Sequence, residues 1–177
     1  RDTDVYLKLG ERTDLANKWE ADMFISIHAN ALPKGRHANG TEIYIMALPT
    51  DKDAMELALI ENRELTGDNG SESSAQVDKK TKMLLNILGN MQQNAKISDS
   101  TEVAEHLFKS GQKQKINMRR VAQAPFFVLR GATMPAVLIE TGFLTERSEA
   151  KKLATPSFQK QFAEAIAQGV ETYFNGR

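Results

Sequence analysis

Two short stretches decide the fold, Met23-Phe24-Ile25-Ser26-Ile27-His28 and Ala136-Val137-Leu138-Ile139-Glu140. Each is a run of apolar or β-favouring residues too short for an independent helix, and each ends on a residue that can carry a proton. Continuous apolar runs of this length read as strands buried on both faces. Outward from them, residues 30–39 hold Pro33, Gly35 and several polar residues and read as a loop. Gly40-Thr41-Glu42-Ile43-Tyr44-Ile45-Met46 then reads as a strand, and Phe126-Phe127-Val128-Leu129 as another. Apolar residues at helical spacing predict helices over 4–19 with Asp4 as N-cap, 51–65, 79–93, 100–113 and 157–174, the last entered through Thr155 and Pro156. Residues 67–76 are the most polar stretch and are expected to form a mobile loop. Strands alternating with amphipathic helices predict an α/β fold, a mixed and mostly parallel sheet flanked by helices on both faces. Ligands of such sheets bind beyond the carboxyl ends of the strands, where His28 and Glu140 lie.

The 177 residues carry 23 basic and 23 acidic side chains, so no long-range field draws the chain to nucleic acid or to an anionic membrane surface. No nucleic-acid partner and no membrane insertion are expected, since no apolar run approaches the length of a membrane span. With no cysteine, disulfides, Cys-ligated zinc and thiol nucleophiles are excluded. Chemistry must come from His, carboxylates, hydroxyls or Lys. The charged opening Arg1-Asp2-Thr3-Asp4, without a Met, leads to the expectation that the sequence starts inside a larger domain.

Only three histidines exist. His37 in its polar loop reads as solvated, and His106 as a helix-surface partner of Glu102. His28 is either a satisfied strand-end residue or a ligand. Glu140 has two open readings as well, an ion pair with Arg130 or a functional carboxylate kept beside apolar neighbours. A His and a Glu converging at strand ends suit a hydrolytic metal centre. A catalytic zinc takes three protein ligands, and residue chemistry alone offers only one persuasive candidate.

The blocks Arg1-Asp2-Thr3-Asp4, Leu9-Gly10-Glu11-Arg12, Ala21-Asp22-Met23-Phe24-Ile25-Ser26-Ile27-His28-Ala29-Asn30, Gly40-Thr41-Glu42, Phe127-Val128-Leu129-Arg130 and Met134-Pro135-Ala136-Val137-Leu138-Ile139-Glu140-Thr141-Gly142-Phe143-Leu144 resemble, in order and spacing, the zinc-dependent N-acetylmuramoyl-L-alanine amidases of bacterial cell walls. The resemblance implies a zinc-hydrolase-like fold and cleavage of the amide between muramic acid and the L-alanine of the peptidoglycan stem. It implies Zn2+ as cofactor and His28 as a metal ligand. Glu140 becomes the carboxylate that takes a proton from a zinc-activated water and hands one to the leaving amine. Asn30 and Arg130 become substrate contacts. The family's other two ligands, a His and a Glu, are expected upstream of Arg1, so residues 1–177 read as one catalytic domain without its N-terminal strands.

Residues 51–114 resemble the helical insertion of cell-division amidases, in which a Glu closes the metal site until a partner withdraws it. Glu61 of Glu61-Asn62-Arg63 matches that position best, with Glu64 as second choice and residues 67–76 as the hinge. The alternative is an ordinary exposed helix residue beside Arg63 and Lys52. On this reading peptidoglycan is the substrate, an activator protein displaces the helix, the location is the periplasm or cell envelope after export, and the role is septal wall splitting. Two other classes stay open, a non-catalytic peptidoglycan-binding relative and a zinc carboxypeptidase-like peptidase using Arg130.

Overall fold

A computed structural model of the chain describes residues 3, 5–32, 34–62 and 97–176. The elements are α1 (Leu9–Lys18), β1 (Phe24–Asn30), β2 (Thr41–Met46), α2 (Lys52–Glu61), α3 (Ile97–Lys113), β3 (Met118–Ala124), a 3-10 turn (Phe127–Leu129), β4 (Ala136–Phe143), α4 (Arg147–Leu153) and α5 (Pro156–Asn175). The expected residues 67–76 loop, the 79–93 helix, Glu64 and Leu65 lie outside the described residues.

The four strands run in the order β1-β4-β2-β3. β1 pairs with β4 and β2 with β3 in parallel, while β2 and β4 are antiparallel. The sheet is therefore mixed and mostly parallel. Side chains alternate across it with period two. Tyr44, Met46, Ala136 and Leu138 face one core cluster with α1, α2 and the 3-10 turn, whereas Ile43, Ile45, Val137 and Ile139 face a second with α3 and α5. Helices cover both faces, as expected of runs without polar alternation.

Several expectations need correction. α1 starts at Leu9 rather than at Asp4, because Val5 and Tyr6 are exposed and the Lys8 N–H donates to Glu11 Oε2 at 2.8 Å, which caps the helix there. Phe126 to Leu129 is not a strand. Its residues are buried as a plug over α1, closed by Leu129 N–H to Phe126 O and Arg130 N–H to Phe127 O, and a short apolar run does not distinguish such a plug from a strand. The strand is the preceding Met118–Ala124, an edge strand whose polar residues mask it. Thr155 precedes α5 as expected, yet its hydroxyl donates to Lys152 O rather than capping the helix. His106, expected to pair along its own helix, has Nδ1 3.2 Å from Thr172 Oγ1 and its ring edge-on to Tyr173 of α5. His37 is exposed but lies 2.7 Å from Glu146 Oε1.

The segment at 97–113 is a core helix: Val103, Ala104 and Leu107 are buried against β2, β4 and α5. Its crossing with α5 is so close that a Cβ on Gly169 would lie 2.9 Å from Leu107 Cα. Ser110 Oγ fixes the same crossing by donating to Ala165 O at 2.8 Å. Backbone cannot yield as a flexible side chain can, so Gly169→Ala should destabilise the domain by roughly 1–3 kcal/mol, outweighing the better helix propensity of Ala. Urea unfolding checks this, and an unchanged or higher midpoint would contradict the packing.

Candidate metal centre

His28 stands opposite Glu140 in the parallel β1–β4 register, and Glu42 stands opposite Glu140 in the antiparallel β2–β4 register. Residues in register on neighbouring strands project to the same face, here the face that α2 covers. Just past His28 the register slips, with Asn30 pairing to Phe143, so β4 carries an extra residue around Gly142. The irregular end is fixed by side chains: Thr141 Oγ1 donates to His28 O at 2.9 Å, and the Glu149 carboxylate accepts from Gly40 N–H and Phe143 N–H.

α2 begins at Asp51, whose side chain accepts from Ala54 N–H at 2.8 Å as an N-cap. It buries Ala54, Leu57 and Ala58 on the sheet and delivers Glu61 at its last residue. Glu61 Oε2 lies 2.8 Å from His28 Nδ1. One ligand atom each from His28, Glu61 and Glu140 falls within 4.8 Å of the others. The three residues that the sequence singled out are thus brought together.

The two facing carboxylates are treated differently. Glu42 is buried and fully paired: Arg119 and Arg120 both donate to its Oε1, and the Tyr44 hydroxyl donates to Oε2 at 2.6 Å. Burial, reinforced by the Glu42 charge, holds the Tyr44 phenol protonated far above its usual range. Two consecutive arginines reach the same carboxylate because Thr41 pairs with Met118 and Glu42 with Arg120, leaving Arg119 as a bulged extra residue.

Glu140 has no such support. It is fully buried, and neither of its oxygens has a hydrogen-bond partner among the described residues. Burial first, then the charges of Glu61 and Glu42, pushes its carboxyl up to about 8. The expected alternative, an ion pair with Arg130, does not form, and the Arg130 guanidinium instead sits 5.5 Å from the centre of the Phe127 ring. Asn30 is buried at the end of β1 and lines a pocket with Glu42, Tyr44, Arg119 and Ile60. An imidazole beside two carboxylates, one of them with both oxygens bare, is a donor set that suits a divalent cation such as zinc.

Sequence reading missed Glu42 and its arginines. The signal was present, because Glu42 interrupts an apolar strand as Glu140 does. Its partners come from β3, which was not recognised as a strand, and from a bulge that no sequence pattern displays.

A family model described as N-acetylmuramoyl-L-alanine amidase matches residues 1–172. The N-acetylmuramoyl-L-alanine amidase AmiA of Escherichia coli K12 is 32% identical over 176 residues, covering 99% of this chain and 60% of that protein. AmiC of Neisseria meningitidis serogroup B is 33% identical over 179 residues, covering 99% and 41%. The chain thus spans between about two fifths and three fifths of the length of these relatives. Among solved structures, the N-acetylmuramoyl-L-alanine amidase from Clostridium difficile 630 superposes with a TM-score of 0.67 at 29% identity, covering 100% of this chain and 70% of that one. With the family model running over nearly its whole length, the chain belongs to the N-acetylmuramoyl-L-alanine amidase family.

Proposed function

We propose that the domain is a zinc-dependent peptidoglycan hydrolase that cleaves the amide between N-acetylmuramic acid and the L-alanine of the stem peptide. The observation that carries the reading is the meeting of His28 and Glu140 on adjacent strands with Glu61 at the end of α2, both oxygens of Glu140 being buried and without a hydrogen-bond partner among the described residues. His28 would hold zinc at this site, together with the further His and Glu that the family resemblance implies, and the metal would supply Lewis acidity to the scissile carbonyl and acidify water.

Glu140 does the proton work. Its bare carboxylate takes a proton from the attacking water as the carbon–oxygen bond forms, and returns one to the alanine nitrogen as the carbon–nitrogen bond breaks. The products are the lactyl carboxylate on the glycan and the free amine of the stem peptide. Burial and the neighbouring carboxylates favour the proton-holding form that the second half of this cycle needs. Asn30, at the mouth of the same strand, is a substrate contact in this reading; for Arg130 the stacking on Phe127 offers no comparable support.

Glu61 is the inhibitory ligand in the same proposal. Its contact with His28 supports this role over that of a plain exposed helix residue. Closed in this way, the domain waits for an activator that binds the open form better. An envelope or periplasmic location and use in septal splitting follow from the substrate and from this regulation. No helix among the described residues is long and apolar enough to cross a membrane.

The test measures metal content and release of dye-labelled peptidoglycan with the full-length protein. Stoichiometric zinc is expected, with release about a hundredfold or more lower in Glu140→Ala, the scale of a lost general base. Basal release should rise about tenfold in Glu61→Ala, equivalent to roughly 1.4 kcal/mol of competition removed. Zinc-free protein that binds sacculi without cutting them would make the chain a non-catalytic relative instead.

A second expectation concerns Glu140 alone, in protein kept metal-free with a chelator. Its folded value of about 8 lies above the ordinary 4.5, so the native state holds the proton more tightly than the unfolded chain. Glu140 therefore costs nothing below the lower value, and stability falls as pH rises between the two. Glu140→Gln removes that slope, so its melting temperature relative to wild type should climb from pH 5 to pH 8. A constant difference across this range would show that Glu140 is not held protonated.

A further inference from the structure

Glu61, the residue that meets His28, is the last of α2, and burial along the helix shows where its described residues are anchored. The apolar anchors Ala54, Leu57 and Ala58 all lie earlier in the helix. After them Leu59, Ile60 and Glu61 are only partly buried, and the next fully buried residue is polar, Asn62. Its side-chain amide grips the backbone between β3 and the 3-10 turn at two points. Nδ2 donates to Pro125 O at 2.9 Å, and Oδ1 accepts from Phe127 N–H at 2.8 Å. A donor and an acceptor on two separate atoms of one short side chain is what a carboxamide supplies; a carboxylate only accepts, an ammonium only donates, and a hydroxyl has both functions on a single oxygen.

The seat of this grip is itself fixed. Asn17 Nδ2 donates to Gly131 O at 2.8 Å, and the Thr13 hydroxyl, shared with Gly10 O at 3.0 Å, lies 3.1 Å from Arg130 O, so α1 ties down the chain that follows the 3-10 turn. The Asn17 carboxamide oxygen also accepts from Thr133 N–H at 3.0 Å. Of the two sides of the contact, the end of α2 is the one with fewer anchors among the described residues.

We propose that Asn62 is a latch. It clamps the C-terminal turn of α2 to Pro125 and Phe127 and thereby keeps Glu61 on His28. Opening the site then requires the loss of the two side-chain hydrogen bonds of Asn62 together with the backbone bond from its N–H to Ala58 O, while the buried body of α2 stays on the sheet. Asn62 is a positioning residue that acts through Glu61, and the inference rests on the reading of Glu61 as the inhibitory ligand.

The test compares Glu61→Ala, Asn62→Ala, Asn62→Asp and the Glu61→Ala/Asn62→Ala double variant in the full-length protein. Two readouts are taken: basal release of dye-labelled peptidoglycan, and hydrogen exchange of the α2 amides in metal-free protein. Asn62→Ala should speed exchange of the last turn about fivefold or more and leave the amides around Ala54 to Ala58 unchanged, as expected for a local loss of two hydrogen bonds. Its basal release should rise as far as in Glu61→Ala, and the double variant should rise no further, because both act on one contact. Asn62→Asp keeps the acceptor for Phe127 N–H but turns an oxygen toward Pro125 O, so it should open the same turn and serves if Asn62→Ala does not fold. Unchanged exchange of the last turn in the folded variants overturns the latch. So does faster exchange with wild-type release when Glu61→Ala is activated. If Glu61→Ala itself leaves release unchanged, the inhibitory reading fails, and faster exchange confined to the last turn still upholds Asn62 as what positions Glu61.

Discussion

Everything at this site depends on two carboxylates facing one another across an antiparallel strand pair inside the protein, Glu42 and Glu140. Like charges directly opposite each other destabilise a sheet, and a buried carboxylate is expensive unless it is paired or protonated. The chain resolves half of the conflict with its own side chains. Arg119, Arg120 and Tyr44 converge on Glu42, and a bulge in the edge strand brings the second guanidinium to the same side as the first. For Glu140 the described residues supply nothing comparable and add a third carboxylate, Glu61, nearby. A group left in this condition needs either a proton or a cation. The arrangement makes little sense as a contribution to stability and fits the proposed role of Glu140 in taking up a proton and giving it back.

The fold around it follows from where the apolar runs fall. β2 and β4 are buried on both faces, so helices must lie on both sides, and the alternation of their side chains puts Glu42 and Glu140 on the α2 side. That much could be read from the sequence, because period-two patterning and run length are local properties. So could the candidacy of His28 and Glu140, each the polar end of an apolar strand, whereas the roles proposed for them come from the family resemblance. Glu61 was reachable only through family resemblance: on a helix surface a glutamate looks like any other until the sheet beneath it is known. The edge strand Met118–Ala124 was missed because one-sided burial left it rich in polar residues, and Phe126 to Leu129 was mistaken for a strand because burial alone does not fix backbone conformation. Bulges, and the hydrogen bonds that join distant loops to them, leave no periodic trace at all.

The packing of α2 also limits what regulation of this site can be. Ala54, Leu57 and Ala58 share a cluster with Tyr44, Ala122, Ala124 and Phe126, so lifting the whole helix would expose the apolar face of the sheet together with the paired Glu42. The N-terminal half is held by charge as well, with Arg36 bridging Asp53 and Glu56, and Asp51 accepting from Arg120. A partner that had to undo all of this would have to supply binding energy on the scale of the domain's own stability. Confining the moving part to the final turn removes that requirement. The residue that meets His28 is the last of the helix, and the proposed latch is a polar residue whose side-chain hydrogen bonds, among the described residues, go to backbone. Hydrogen bonds to backbone can be exchanged for hydrogen bonds to water with little net change in free energy, whereas buried alanine and leucine cannot be exposed so cheaply. A switch built this way can open under a modest load while the sheet that aligns His28 with Glu140 stays intact.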